Sequence, residues 1–222
     1  MRLKVEIKGE IIPNDYKDIY DWIGWSATCP RDVSDAIQKA NGEVLDVEIN
    51  SPGGDVDSAS EIYAALKGYA GTRIHIVGAC ASAASMIAMA GQSDMVSTGR
   101  MMVHRAATYT DGNYHAMDAA SEALQKADRA IASAYVAKSG MTEKDVLDMM
   151  DKTTWLTAQD AVDKKLIDKV MFAGSTASEP LAASAGALLP HTTVNKIRSL
   201  LADKKQAEKV QIELNLLKEK VV

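Results

Sequence analysis

The chain has 222 residues, of which 47% are apolar and 25% charged, with a net charge of −5 and a pI near 5.4. That balance suits one sizeable globular core with an appendage. It excludes the basic face that nucleic-acid binding asks for, and no apolar run approaches the roughly 18 residues of a membrane span. The opening residues alternate charged and apolar like a strand and lack the apolar heart of a secretory signal, so the expected location is the cytoplasm. Cys29 and Cys80 stand apart from any CxxC or Cys/His pairing, so neither a metal site nor a cofactor is expected.

In chain order, Leu3, Val5 and Ile7 alternate with Lys4, Glu6 and Lys8, which predicts a strand with one wet face. Asn14 or Asp15 can cap a short helix carrying Ile19, Trp22 and Ile23, and a second helix over Asp32 to Ala40 stops at Asn41-Gly42. Val44 to Ile49 predicts a strand that runs straight into Ser51-Pro52-Gly53-Gly54, followed by a helix through Val56, Ile62, Leu66 and Tyr69. The stretch Ile74 to Gly91 then opens as a buried strand, passes through small residues around Ser82 and Ser85, and continues as an apolar helix. Two short strands, Met95 to Ser97 and Met101 to His104, precede a long helix from about Met117 to Ser139, closed by Gly140. Thr142 and Thr157 cap two further helices, and Ile167 to Phe172 makes a last strand. Strand, tight turn and helix in repetition imply a mainly parallel sheet with packed helices, an α/β fold. Residues 173–193 read as an Ala/Ser-rich linker and residues 194–222 as a charged helical tail whose apolar spacing allows a short coiled coil. This gives a domain over 1–172 and two appended segments.

A strand that breaks directly into a helix leaves free N–H groups where the helix dipole is positive, a place for an oxyanion. Ser82 and Ser85 both lie there. Of the four histidines, His104 closes an apolar strand, the position from which side chains commonly face a site, whereas His75 is inside a strand, His115 in a polar loop and His191 in the tail. Gly53-Gly54 suits a backbone that approaches something closely. There is no GxGxxG, no GKS/T and no GxSxG, so dinucleotide binding, a phosphate-cradling loop and the hydrolase elbow fall away. The residues alone leave the choice between Ser82 and Ser85 open.

Three segments in order, Ile49-Asn50-Ser51-Pro52-Gly53-Gly54, Ala83-Ala84-Ser85-Met86 and Arg100-Met101-Met102-Val103-His104, resemble the signature segments of the Clp protease proteolytic subunit. The likeness covers roughly residues 1–172. Asp21-Trp22, Gly42-Glu43 and Thr154-Trp155-Leu156-Thr157-Ala158 are similar to stretches of phage-encoded Clp-like proteases that process capsid precursors. The resemblance implies a crotonase-like spiral of repeated β-β-α units and a serine endopeptidase with Ser85 as nucleophile and His104 as base. It implies an oxyanion hole from the N–H groups of Gly54 and Met86, a capsid or scaffold polypeptide as substrate, and homo-oligomers in heptameric rings joined through the helix near 117–139. It leaves room for a Clp-type ATPase partner, and it involves neither nucleic acid nor membrane. The family's acidic third triad member falls on Thr153, which cannot carry a charge; Asp151 is the substitute expected, brought towards His104 by an irregular segment over residues 148–154. Thr153 also keeps open a catalytically silent ring subunit, and the fold keeps open a crotonase-like acyl-CoA enzyme, which would need no Ser/His pair.

Overall fold

The alternation at the start of the chain folds as written: β1 (Leu3–Ile11) turns Val5, Ile7 and Ile11 into the core and its lysines and glutamates outward. In this computed structural model residues 3–172 are described, so the linker over 173–193 and the tail over 194–222 lie outside the described residues. A 3-10 turn at Asn14–Tyr16 leads into α1 (Lys17–Ile23), which buries no residue, and then β2 (Ala27–Thr28). Pro30 supplies a preset φ at the first position of α2 (Pro30–Ala40), where the Cys29 N–H is taken by the Asp32 carboxylate at 3.0 Å. After β3 (Leu45–Gly54), Asp55 caps α3 (Val56–Gly68), accepting the Ser58 N–H at 2.7 Å. Then come β4 (Thr72–Ala81), a single short helix α4 (Ala83–Ile87) with a 3-10 turn, β5 (Gln92–Val96) and β6 (Arg100–Val103). The long α5 (Tyr114–Ser139) starts three residues before the expected Met117 because Asn113 caps it, and Gly140 ends it in the left-handed conformation. α6 (Glu143–Asp151), β7 (Thr154–Leu156), α7 (Ala158–Asp163) and β8 (Lys169–Met171) complete the described residues. Strand–strand–helix order is found at β5-β6-α5, which α6 follows directly; elsewhere strands and α-helices alternate.

All pairings are parallel except β6 with β7, in the order β2-β1-β3-β4-β5-β8. One face is apolar: Val5, Ile7, Leu45, Val47, Ile49, Ile74 and Ile76 are buried there with Ile62 and Leu66 of α3. Each such side chain withdrawn from water contributes on the order of 1.5–3 kcal/mol. The opposite face is charged, with Lys4 bridging Glu6 and Glu48, and His75 between Asp94 at 2.7 Å and Asp46 at 3.3 Å. Among the described residues no helix is long and apolar enough to cross a membrane.

β4 matters most for the site because it changes partner along its length. Its first half, Arg73 to Ile76, pairs with β5, and its last residues, Ala79 to Ala81, pair with β6. The end of β4 and the end of β6 are thereby brought side by side, and the residues just beyond each, Ser82 and His104, meet.

Candidate active site

Ser82 follows β4 at φ 55° and ψ −130°, a conformation outside the regions open to ordinary L-residues. Its N–H is held by the Met102 carbonyl at 2.9 Å, which continues the β4–β6 ladder one step past the strand. That turn throws its hydroxyl to His104, and Ser82 Oγ lies 2.7 Å from His104 Nε2. Both side chains are half-buried at a cleft lined by Val56, Ala83, Met86, Ile131 and Tyr135. For Nε2 to accept from the serine, the ring proton must sit on Nδ1.

The expected Ser85–His104 pair is not formed. Ser85 is fully buried one turn into the chain after Ser82, with its Oγ engaged by the carbonyls of Ser82 at 2.6 Å and Met102 at 3.0 Å and by the Tyr135 hydroxyl at 2.7 Å. The cause is helical geometry: with Ser82 at the turn, a residue three further on lies inside the first turn of α4 and faces the core, not the cleft.

The residues expected as oxyanion donors are placed differently from one another. Met86 lines the cleft but lies past the helix-start residues whose N–H groups geometry leaves free. Ala83, first in α4, has such a free N–H. Gly53, at φ 99°, packs directly on this turn: a β-carbon there would lie 2.7 Å from the Ala81 oxygen, 2.7 Å from Ser82 Cβ and 2.9 Å from the Ala83 nitrogen. Glycine is obligatory at that contact. Gly54 sits against Ile11 of β1, and the next N–H, of Asp55, donates to the Ile11 carbonyl at 2.8 Å.

Asp151 does not approach His104 either. The segment expected to be irregular is helical through Asp151, whose carboxylate is held by Arg105 in a fork, Nε to Oδ1 at 2.6 Å and Nη2 to Oδ2 at 2.8 Å. The guanidinium keeps the Asp151 carboxyl below its ordinary value. Arg105 also reaches the buried Asp128 at 3.3 Å, and Asp128 accepts the Ala106 N–H at 2.7 Å, so the chain just after His104 is fastened to α5 and α6. Thr153 lies just before the β6–β7 ladder, whose end pair is Val103 with Thr154, as His104 lies just after it. It holds φ 49°, unusual for a β-branched residue. Among the described residues, no carboxylate forms an ion pair with the His104 ring, and no group of His, Cys, Asp and Glu could hold a metal ion.

Two participants escaped the sequence reading. Tyr135 sits at ordinary helical spacing within α5, and Arg105 has no periodicity to single it out. The one signal available was an arginine directly after a candidate base.

Comparison with known proteins adds an independent line. The model of the family described as Clp protease matches residues 36–174. Among curated proteins, the chain is 26% identical over 160 residues to "ATP-dependent Clp protease proteolytic subunit 1" of Chlamydia abortus, covering 64% of this chain and 81% of that one. It is 28% identical over 134 residues to an "ATP-dependent Clp protease proteolytic subunit" of Bacteroides fragilis, covering 59% of this chain and 65% of the relative. A protein of the same name from Porphyromonas gingivalis is 25% identical over 135 residues, with 59% and 60% covered. These relatives are bacterial.

Proposed function

The chain belongs to the Clp protease family, and from that premise we propose that it is a serine endopeptidase in which Ser82, and not Ser85, is the nucleophile and His104 the base. The observation that carries this reading is the 2.7 Å contact between Ser82 Oγ and His104 Nε2 at a strand-to-helix turn. As the serine oxygen bonds to the peptide carbonyl carbon, His104 takes its proton. The oxygen that becomes negative is received by the N–H groups of Ala83 and Gly54. The C–N bond then breaks, His104 returns the proton to the departing amine, and a water activated by the same ring hydrolyses the acyl-serine. A crotonase-like enzyme would have no use for the Ser82–His104 contact.

We read the substrate as a capsid or scaffold polypeptide, because Asp21-Trp22, Gly42-Glu43 and Thr154-Trp155-Leu156-Thr157-Ala158 are similar to stretches of phage-encoded Clp-like proteases. On the same resemblance the chain assembles with copies of itself into rings of seven. The names of the bacterial relatives carry the words "ATP-dependent", which supports an ATPase as a partner that delivers substrate.

A fluorophosphonate reacts only with an activated serine, so labelling followed by peptide mapping tests the site directly. Label on Ser82, lost in Ser82→Ala and in His104→Ala, is the expected result. Label on Ser85 overturns the assignment, and no label on the intact protein establishes the silent-subunit reading that Thr153 favours.

A further inference from the structure

Behind the nucleophile turn lies a polar cluster that the chemistry above does not use, yet it is among the most deeply buried in the protein. Ser85 is 0% exposed and Tyr135, from α5, 1% exposed. The Ser85 hydroxyl carries a single proton and has two carbonyl oxygens within reach, those of Ser82 at 2.6 Å and Met102 at 3.0 Å. Carbonyls only accept, so Ser85 donates to one of them, and the Tyr135 hydroxyl donates to Ser85 Oγ across 2.7 Å. Burial pushes the Tyr135 hydroxyl well above its ordinary value, so that it retains the proton this arrangement needs. The direction of the chain is thereby fixed: Tyr135 O–H to Ser85 Oγ, Ser85 O–H to backbone.

The two carbonyls are not arbitrary. One belongs to the nucleophile residue itself. The other belongs to Met102, two residues before His104, and it already accepts the Ser82 N–H at 2.9 Å. A single side chain therefore ties the turn that carries the nucleophile to the strand that carries the base, and Tyr135 anchors the tie in a 26-residue helix. Ser82 holds a backbone conformation that persists only when its surroundings over-determine it, and among the described residues no carboxylate pairs with the His104 ring, so the base lacks the charged orienting group that usually fixes such a pair.

The geometry points to Ser85 and Tyr135 as positioning residues of the reaction: their hydroxyl chain holds the Ser82 turn in register with the His104 strand, so that nucleophile and base stay at attack distance. This rests on the serine-peptidase reading and deepens it. Neither residue contributes an atom to the reaction. Loosening them misplaces Ser82, while Ser85 does not line the cleft and Tyr135→Phe keeps the ring that does, so kcat falls while KM holds. No group that titrates near neutrality is touched, so the pH dependence of kcat/KM keeps its shape.

The test compares Ser85→Ala, Tyr135→Phe and the double variant by kcat, KM, pH profile, fluorophosphonate labelling rate with mapping, and thermal midpoint. Each single variant is expected to lose about ten- to a hundredfold in kcat and in labelling rate, the scale at which small misplacements act. KM is expected to hold within about twofold, and the label to stay on Ser82. Ser85→Ala leaves the buried Tyr135 hydroxyl without its partner, whereas Tyr135→Phe leaves Ser85 its backbone carbonyl, so the thermal midpoint of the double variant should recover from that of Ser85→Ala towards that of Tyr135→Phe. The kcat of the double variant should stay low. A kcat that recovers together with the midpoint, or single variants with wild-type kcat, would overturn the positioning role while leaving the Ser82–His104 reading intact. Complete loss of label in Ser85→Ala, with the label of the intact protein mapped to Ser85, would bring down that reading and this inference together. Ser82→Ala, run in parallel, separates the two failures: it must be dead for the parent reading to stand.

Discussion

Ser82 and Ser85 stand three residues apart in one turn, and their surroundings could hardly differ more. Ser82 is half-buried, conformationally strained and turned to a single side-chain partner, His104. Ser85 is sealed from water, unstrained within α4, and meets three oxygens. A hydroxyl whose proton is already committed inside the fold is a poor nucleophile, because attack would break buried hydrogen bonds that each cost on the order of 1–3 kcal/mol to leave unmade. A hydroxyl held in an unfavourable backbone conformation beside an imidazole has no such commitment. Chemistry and scaffolding are thus separated by one helical turn.

That contrast can be broken most decisively at Ser82. Ser82→Ala should abolish peptide cleavage and labelling, a loss on the order of 10⁶ in turnover by analogy with other serine proteases, while circular dichroism stays that of the wild type; retained labelling would erase the distinction. Next in size is Gly53→Ala. The added methyl must enter space 2.7 Å from Ser82 Cβ and the Ala81 oxygen, at a φ of 99°, so we expect both a lower thermal midpoint and a loss of about a hundredfold in kcat. Wild-type kinetics in that variant would mean that the glycine turn does not shape the nucleophile.

A third substitution sharpens the contrast in the opposite direction. Thr153→Asp places a carboxylate just beyond the end of the β6–β7 ladder, where His104 also lies, at a backbone position that aspartate tolerates better than threonine. Turnover should rise by roughly tenfold, within the about 10⁴ that a missing triad carboxylate can cost, and unchanged turnover would show that the base is oriented by other means. The smallest effect concerns the clamp behind the base. Arg105 depresses the Asp151 carboxyl, so the pair adds stability above the ordinary carboxylate range that is lost as the pH falls through the folded-state value. Thermal midpoints followed from neutral pH downwards should fall less steeply for Arg105→Gln than for wild type below about pH 4, the two curves converging in acid. Parallel curves would show the ion pair to be thermodynamically silent.

Much of the scaffold was legible because it depends on local pattern. The alternation over Leu3 to Ile7, the caps at Thr142 and Thr157 and the stop at Gly140 each state their own structure. His104 was legible as a strand-end histidine. Which serine meets it was not, because the Ser82–His104 contact depends on where β4 ends and α4 begins, and a run of alanines and serines leaves that boundary without a capping or periodic signal. Gly54 was named from its motif, while Met86 lies beyond the free helix-start N–H groups by the same three residues that separate Ser85 from Ser82. Asp151 was drawn to the wrong partner because nothing in spacing reveals that Arg105 waits across β6 and α6.

The backbone angles at Ser82 also limit what evolution can place there. Near φ 55° and ψ −130° a second heavy atom on the β-carbon has no room. Threonine, though it bears the same functional group, is therefore shut out of a position that serine occupies, whereas cysteine, unbranched and of similar reach, fits. The turn acts as a filter on nucleophile chemistry: it admits a primary alcohol or a thiol and refuses a secondary alcohol, whatever the substrate selects for.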